Sequence, residues 1–237
     1  MIPGHDAAIA PRRMGNRTES RLTLDFRVDD VAASNAAVAK VIGDLAARGF
    51  AIVTDFLPAQ AIAALRAEAL RRDAAGELVA AGVGPATERA VRSDIRGDRI
   101  RWLDEERPAP AERVLHDALT TLRDAINRDL LLGAWRFEGH YALYPTGAAY
   151  ARHRDAFRGQ RARAGGRVVS CILYLNEDWQ ATDGGALRIH FDNGATCDVL
   201  PAGGTLVAFL AADFEHEVLP ATRPRLAVTG WFRTRES

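Results

Sequence analysis

The sequence predicts an α+β chain, mainly β: a double-stranded β-helix (jelly roll) with N-terminal helices packed on one outer face. Three observations carry this. Up to residue 131, apolar residues recur at helical spacing in three separate stretches. After Gly133, short apolar runs alternate with turn signals every ten residues or so. Asp192-Asn193-Gly194 is a strong hairpin turn between two such runs. Many short strands at this spacing point to a sandwich or barrel, and helices first with strands later puts the helices against one side of it.

In chain order, residues 1–34 read as a poorly ordered lead-in, with Pro3, Pro11, Arg12, Arg13 and Gly15 and no clear period. Residues 35–237 read as one domain, with a helical and strand support over 35–132 and the jelly-roll core over 133–233. The first helix runs from Ala33 to Arg48, where Gly49 stops it. A strand follows at Phe50 to Val53. Pro58 opens the second helix, which ends near Gly76. A polar loop spans Ser93 to Arg99, and a strand covers Ile100 to Leu103. The third helix is expected over Ala111 to Leu131. The later strands are expected at Trp135–Leu143, Val168–Leu175, Ala186–Phe191, Ala195–Leu200, Thr205–Leu210, Glu217–Leu219 and Arg225–Phe232.

Bulk properties narrow the function. The 237 residues suit one catalytic domain, and 48% apolar with 26% charged residues is enough to bury a core. Net charge is zero, so no nucleic-acid partner is expected. No apolar run reaches the ~20 residues that span a bilayer, and Met1 to Asn16 lacks a signal core. A cytoplasmic location without membrane attachment is the expectation. Cys171 and Cys197 are too few for a disulfide framework and form no C-x-x-C pair.

The histidines locate the chemistry. Two H-x-D triplets occur, His153-Arg154-Asp155 and His190-Phe191-Asp192. Either can give a metal two ligands, because residues i and i+2 of an extended chain point the same way. His216 is the only later histidine that can complete a set. Two histidines and one carboxylate with other positions open are the facial triad of non-haem Fe(II) oxygenases. Asp192 has a simpler task as the start of a tight turn. Asp155 has none, and it precedes an Arg/Gly-rich loop from Phe157 to Gly166. His153, Asp155 and His216 are therefore the candidate ligands.

Arg225 opens the last strand. Alternation puts Arg225, Ala227, Thr229 and Trp231 on one face, and Leu226, Val228 and Phe232 on the other. The second face suits packing under the helices. The first suits a barrel interior with room for a small anion, since a guanidinium binds a carboxylate bidentately. In the run Val168 to Leu175, Ser170, Ile172 and Tyr174 share a face, and the Tyr174 hydroxyl is a candidate donor to the same carboxylate.

Taken together, these strings resemble the 2-oxoglutarate-dependent prolyl hydroxylases of the oxygen-sensing type, which have bacterial members. The matching text is Tyr144-Pro145, Tyr150 to Asp155, Tyr174-Leu175-Asn176 with Asp178-Trp179, Gly184-Gly185 with Leu187-Arg188, His216-Glu217-Val218, and Arg225 to Trp231. Upstream, Asp94-Ile95-Arg96-Gly97-Asp98 with Ile100 and Trp102 matches a further string of that family. The resemblance covers about Ala36 to Phe232. It implies Fe(II) on His153, Asp155 and His216, with 2-oxoglutarate chelating that iron through its 2-oxo acid end. Arg225 and Tyr174 would take the far carboxylate, with Leu187 and Thr229 also at the cosubstrate. O2 is consumed, succinate and CO2 are released, and C4 of a prolyl residue in a protein substrate is hydroxylated. Asp98, Trp102, Tyr144, Tyr150, Arg167 and Trp231 would line the substrate side. For bacterial members the implied substrate is elongation factor Tu. Arg154 stands where an apolar residue is expected, the loop between Tyr144 and Tyr150 is about one residue short, and no long helix follows Phe232. These departures bear on the protein substrate, not on iron or cosubstrate. Two other classes fit the same residues: an oxygenase of a small molecule such as a free amino acid, and a non-catalytic jelly-roll sensor.

Overall fold

The computed structural model describes residues 28–83, 90–92, 95–157 and 164–236. The expected lead-in over 1–27, Ser93 and Asp94, and 158–163 of the Arg/Gly-rich loop lie outside them. The first helix, α1, is Val28–Arg48 and so begins five residues before the expected start. No Gly or Pro lies between Gly15 and Gly43, so nothing in the sequence halts backward growth of the helix.

Strand β1 (Phe50–Val53) and helix α2 (Ala59–Ala74) follow as expected. Short strands β2 (Val79–Ala80), β3 (Gly82–Val83) and β4 (Ala90–Val91) were not legible, and β5 (Arg99–Trp102) starts one residue early. Helix α3 (Pro110–Ala125) opens with the Glu112 carboxylate reaching back to accept the Ala109 amide at 2.8 Å. It does not run on to Leu131 as an α-helix. Ile126–Leu130 is a π-helical turn, Leu131 is left-handed at φ 54°, and Asn127 closes the end by exchanging two 2.7 Å hydrogen bonds with Ala134.

Eight strands then form the barrel. They are β6 (Arg136–Tyr144), β7 (Tyr150–His153), β8 (Arg167–Tyr174), β9 (Leu187–His190), β10 (Thr196–Val199), β11 (Leu206–Leu210), β12 (Glu215–Val218) and β13 (Arg225–Arg233). Four of them form one sheet, β10-β9-β12-β7, and the other four join β1, β5 and β2 in a seven-stranded sheet, β1-β11-β8-β13-β6-β5-β2. Every pairing is antiparallel. The chain crosses repeatedly between the sheets, which is the jelly roll the sequence predicts. The N-terminal half extends the larger sheet at both edges, through β1 and through β5 with β2.

The predicted two-faced reading of β8 and β13 holds. Leu226, Val228, Phe232, Val169, Cys171 and Leu173 pack with residues of all three helices in one core. Ala227, Ile172 and Tyr174 face the second core, between the sheets. Both cysteines are free. Among the described residues no helix is long and apolar enough to cross a membrane.

Asn176, at the end of β8, ties this frame together. It is buried, donates Nδ2–H to the Pro201 carbonyl and accepts the Leu226 amide, both at 2.7 Å. It thereby pins the start of β13 and the loop before β11 at one point. Asn176→Ala leaves two backbone groups buried and unpartnered, at about 1–3 kcal/mol each. A fall of roughly 2–6 kcal/mol in unfolding free energy by urea titration is the expected result.

Candidate active site

Two of the candidate ligands are set by one cross-strand pairing. His153 ends β7, His216 lies second in β12, and the two stand opposite each other. Asp155 follows two residues after His153 and bends back toward both. Asp155 Oδ1 lies 3.7 Å from His153 Nε2, and Asp155 Oδ2 lies 3.7 Å from His216 Nε2. The three ligand atoms fall within 4.8 Å of one another. His153 Nδ1 faces the Ala151 carbonyl at 2.8 Å, so it carries the proton and leaves the Nε2 lone pair free. His216 Nδ1 faces the Phe214 carbonyl in the same sense, at 3.4 Å.

Burial alone would raise the Asp155 carboxyl. The neighbouring His216 and His153, the Ser170 hydroxyl at 2.6 Å and Arg167 outweigh it and hold the group at about 2. His153 is lowered to about 4, first by burial and then by His216. Both groups are therefore in their metal-binding forms near neutral pH. His190 is turned elsewhere: its Nε2 lies 3.0 Å from Glu217 Oε1, and it is not part of the three-ligand group. Arg154 also points away, donating to the Ala212 and Asp213 carbonyls. It fastens the turn before β12, which accounts for a charge where an apolar residue is expected.

The other end of the cavity carries Arg225, 2% exposed. Its Nε donates to the Gly185 carbonyl at 2.8 Å, and its guanidinium carbon lies 4.9 Å from the Tyr174 ring centre and 5.3 Å from that of Tyr144. Arg225 Nη2 and the Tyr174 hydroxyl are buried with no hydrogen-bond partner among the described residues. Tyr174 is not among the residues lining the cavity and lies in the core behind Arg225; an orphaned guanidinium nitrogen of a cavity-lining arginine, with a second orphaned donor near it, fits a carboxylate. Gly184 and Gly185 both have φ 69°, and a Cβ on Gly185 would stand 2.9 Å from Ala221 Cβ and 3.3 Å from Arg225 Cδ. The glycine pair is needed for that cradle.

The cavity measures about 150 Å³. Leu187, Thr229, Trp102, Tyr144, Tyr150, Arg167, Trp231 and Asp98 all line it, as does the triad. Asp98, expected within a polar loop, is not solvated. Its side chain is fully buried in a bidentate pair with Arg96, at 2.6 and 2.9 Å. Arg167 lies flat on Trp231, 3.5 Å from the ring centre. Sequence reasoning missed Ser170, Arg96 and His140. His140 shares a face of β6 with Ala142 and Tyr144, so alternation pointed it inward. It is buried between Trp102 and Trp231, with ring centres 4.9 and 5.8 Å away.

A barrel with a three-ligand metal site at one end and a cationic anchor for a carboxylate at the other is how 2-oxoglutarate-dependent iron oxygenases are built. Residues 139–233 match the family described as the 2OG-Fe(II) oxygenase superfamily. A Pseudomonas putida prolyl-4-hydroxylase is 48% identical in sequence, with a TM-score of 0.73 over 83% of this chain and 98% of that one. A Trichoplax adhaerens prolyl hydroxylase, solved with a hypoxia-inducible factor peptide fragment, is 26% identical, with a TM-score of 0.76 over 88% of this chain and 94% of that one. The human protein Egl nine homolog 1 is 36% identical over 148 residues, 59% of this chain and 33% of its own length. The match thus spans only about a third of that human relative. The chain belongs to the prolyl hydroxylase family of the 2OG-Fe(II) oxygenases, whose members use Fe(II), 2-oxoglutarate and O2.

Burial, and then the Arg96 charge, lower His140 to about 4. An unfolded histidine titrates near 6.5. Between these values the unfolded chain takes a proton that the folded one refuses, so stability falls as pH drops from about 6.5 through 4. His140→Met should remove this share, worth roughly 2 kcal/mol between pH 7 and 5. Urea unfolding of the metal-free parent and variant at both pH values measures the difference.

Proposed function

We propose that this chain hydroxylates C4 of a prolyl residue in a protein substrate, with elongation factor Tu as that substrate. The observation that carries the reading is the joint presence, in one cavity, of the three-ligand group and a buried arginine with an unpaired nitrogen. His153, Asp155 and His216 would hold Fe(II), and Arg225 with Tyr174 would take the far carboxylate of 2-oxoglutarate, beside Leu187 and Thr229. Bound together with O2, these groups supply the oxidising power that turns a C–H into C–OH, with succinate and CO2 released.

The residues' own part is to bind, orient and exclude water. Ser170 holds Asp155 in its ligand orientation. Arg225 fixes one end of the cosubstrate, so that the reactive end is directed toward the triad. Trp102 and Trp231 offer apolar walls for a pyrrolidine ring, and Tyr144, Tyr150, Asp98 and Arg167 complete the substrate side. The Trichoplax relative's bound peptide fragment supports a peptide as substrate in place of free proline. Elongation factor Tu is the substrate implied by the resemblance to bacterial members.

Elongation factor Tu incubated with Fe(II), 2-oxoglutarate and the enzyme is expected to gain 16 Da, roughly one oxygen. Free proline should remain unchanged. The gain should vanish in His153→Ala, Asp155→Ala and His216→Ala and persist in His190→Ala. An unmodified elongation factor Tu beside other modified bacterial proteins would reject the substrate but keep the chemistry. Loss in His190→Ala with retention in His153→Ala would reject the ligand set.

Arg225→Ala should keep metal affinity and lose 2-oxoglutarate binding by ~2–5 kcal/mol, the cost of a lost charge-assisted contact to a desolvated carboxylate. Arg225→Lys should recover only part, lacking the planar fork. Calorimetric titration of 2-oxoglutarate into the metal-loaded proteins gives both values.

A further inference from the structure

The segment from Ile95 to Trp102 lies outside the strands that carry the triad, and from sequence it serves only the substrate. The structure joins it to the metal site. Its first part is hydrogen-bonded to β7: Gly97 donates to the Ala149 carbonyl, Ala151 donates to the Ile95 carbonyl, and Arg96 pairs with Tyr150. Its second part, β5, pairs with β6. Within eight residues the chain crosses from the smaller sheet to the larger and bridges the mouth of the barrel. Gly97 permits the crossing, since a Cβ there would meet Ala148 Cβ at 3.0 Å.

Arg96 is the hub of this crossing. Its Nε/Nη2 edge is held: Asp98 accepts from Nε and Nη2, and Nη2 also faces His140 Nε2 at 3.4 Å. A guanidinium only donates, so His140 Nε2 is the acceptor. Held in this way, the Arg96 guanidinium carbon lies 5.0 Å from the centre of the Tyr150 ring. Tyr150 in turn stacks on His153, with ring centres 3.8 Å apart and planes at 18°. The imidazole of His153 thus has one edge fixed by the Ala151 carbonyl and one face fixed by Tyr150.

We infer that Arg96, clamped by Asp98 and His140, is a positioning residue for the metal site, acting through Tyr150 on the ring of His153. The inference rests on the reading of His153 as a metal ligand. Partners that orient a ligating histidine commonly change metal affinity by roughly 10–100-fold when removed. The clamp residues touch no ligand atom of the triad; the Arg96 charge also acts on His153 through space, so the variants that test the Tyr150 path remove Arg96 and Asp98 together and leave the net charge unchanged.

The test is Co(II) binding to the metal-free protein, followed by the visible absorption of the bound ion and by equilibrium dialysis, without 2-oxoglutarate or substrate. Tyr150→Leu, which removes the stack, is expected to weaken Co(II) binding roughly 10-fold and to alter the absorption band. Tyr150→Phe, which keeps the stack, should stay within about twofold of the parent. The paired change Arg96→Met with Asp98→Leu avoids leaving a lone buried charge and should weaken binding by a similar factor. Added to Tyr150→Leu, it should cost nothing further, because both act on one path. Arg99→Ala, in the same segment but paired with Asp73 at the surface, should bind as the parent does. Parent-like Co(II) affinity in Tyr150→Leu overturns the inference, as does full additivity of the combined change. If the paired variant does not fold, the contrast between Tyr150→Leu and Tyr150→Phe still decides. A parent that binds no Co(II), or that binds it unchanged in His216→Ala, overturns the ligand assignment itself.

Discussion

The site depends first on the register between β7 and β12. His153 and His216 meet because Cα partners across that pair are fixed, and Asp155 reaches both because it follows His153 by two residues. Side chains alternate with period two, so a slip of one residue would turn His216 out of the barrel and Glu217 in. What prevents the slip is the alternation of β12 itself. His216 and Val218 are buried while Glu215 and Glu217 are half-buried, and the same strand is held by β9 on its other side, with His216 opposite Ile189. The candidate metal geometry is thus set by strand pairing, with the β7–β12 register shifting by one residue between His216 and Val218, next to the histidine pair.

The second constraint is the position of Arg225. A guanidinium at 2% exposure with no acidic partner among the described residues is held by a glycine carbonyl and two aromatic rings. Gly184 and Gly185 adopt a backbone that other residues rarely take, Trp179 donates to the Gly184 carbonyl at 3.0 Å, and Asn176 locks the first residues of β13. The strings Tyr174-Leu175-Asn176, Asp178-Trp179 and Gly184-Gly185 are therefore parts of one device that aims Arg225 inward. None of them touches the triad, yet each fixes where the far end of a cosubstrate can lie.

Much of this was legible, and what was not has a common cause. The two faces of β8 and β13 followed from alternation, because apolar residues fill one face completely. The strands Tyr150–His153 and Glu215–Val218 were missed or misplaced because their inward positions carry the candidate ligands. Tyr-Ala-Arg-His and Glu-His-Glu-Val show no apolar period, so the residues that make the site also hide its strands. The burial of Asp98 was not legible for a related reason: a charged loop reads as solvated unless its partner is known, and the partner is Arg96, two residues away. The π-helical turn at Ile126–Leu130 depends on Asn127 reaching seven residues forward, a contact outside any helical period.

Arg96 and Arg225 show how one chain gives a buried cation two different uses. Removing a guanidinium from water is costly unless a counter-charge or several acceptors surround it. Around Arg96 the protein supplies these itself: the Asp98 carboxylate and the His140 nitrogen, with the Tyr150 ring beneath. The charge is neutralised, the pair is rigid, and what remains is a mechanical element. Around Arg225 the protein supplies only a neutral carbonyl and ring faces, and one guanidinium nitrogen and the nearby Tyr174 hydroxyl stay unpartnered. The missing anion must come from a ligand, and a neutral or cationic molecule would leave the desolvation uncompensated. Discrimination in favour of a carboxylate thus follows from what the protein withholds near Arg225, as much as from what it places there.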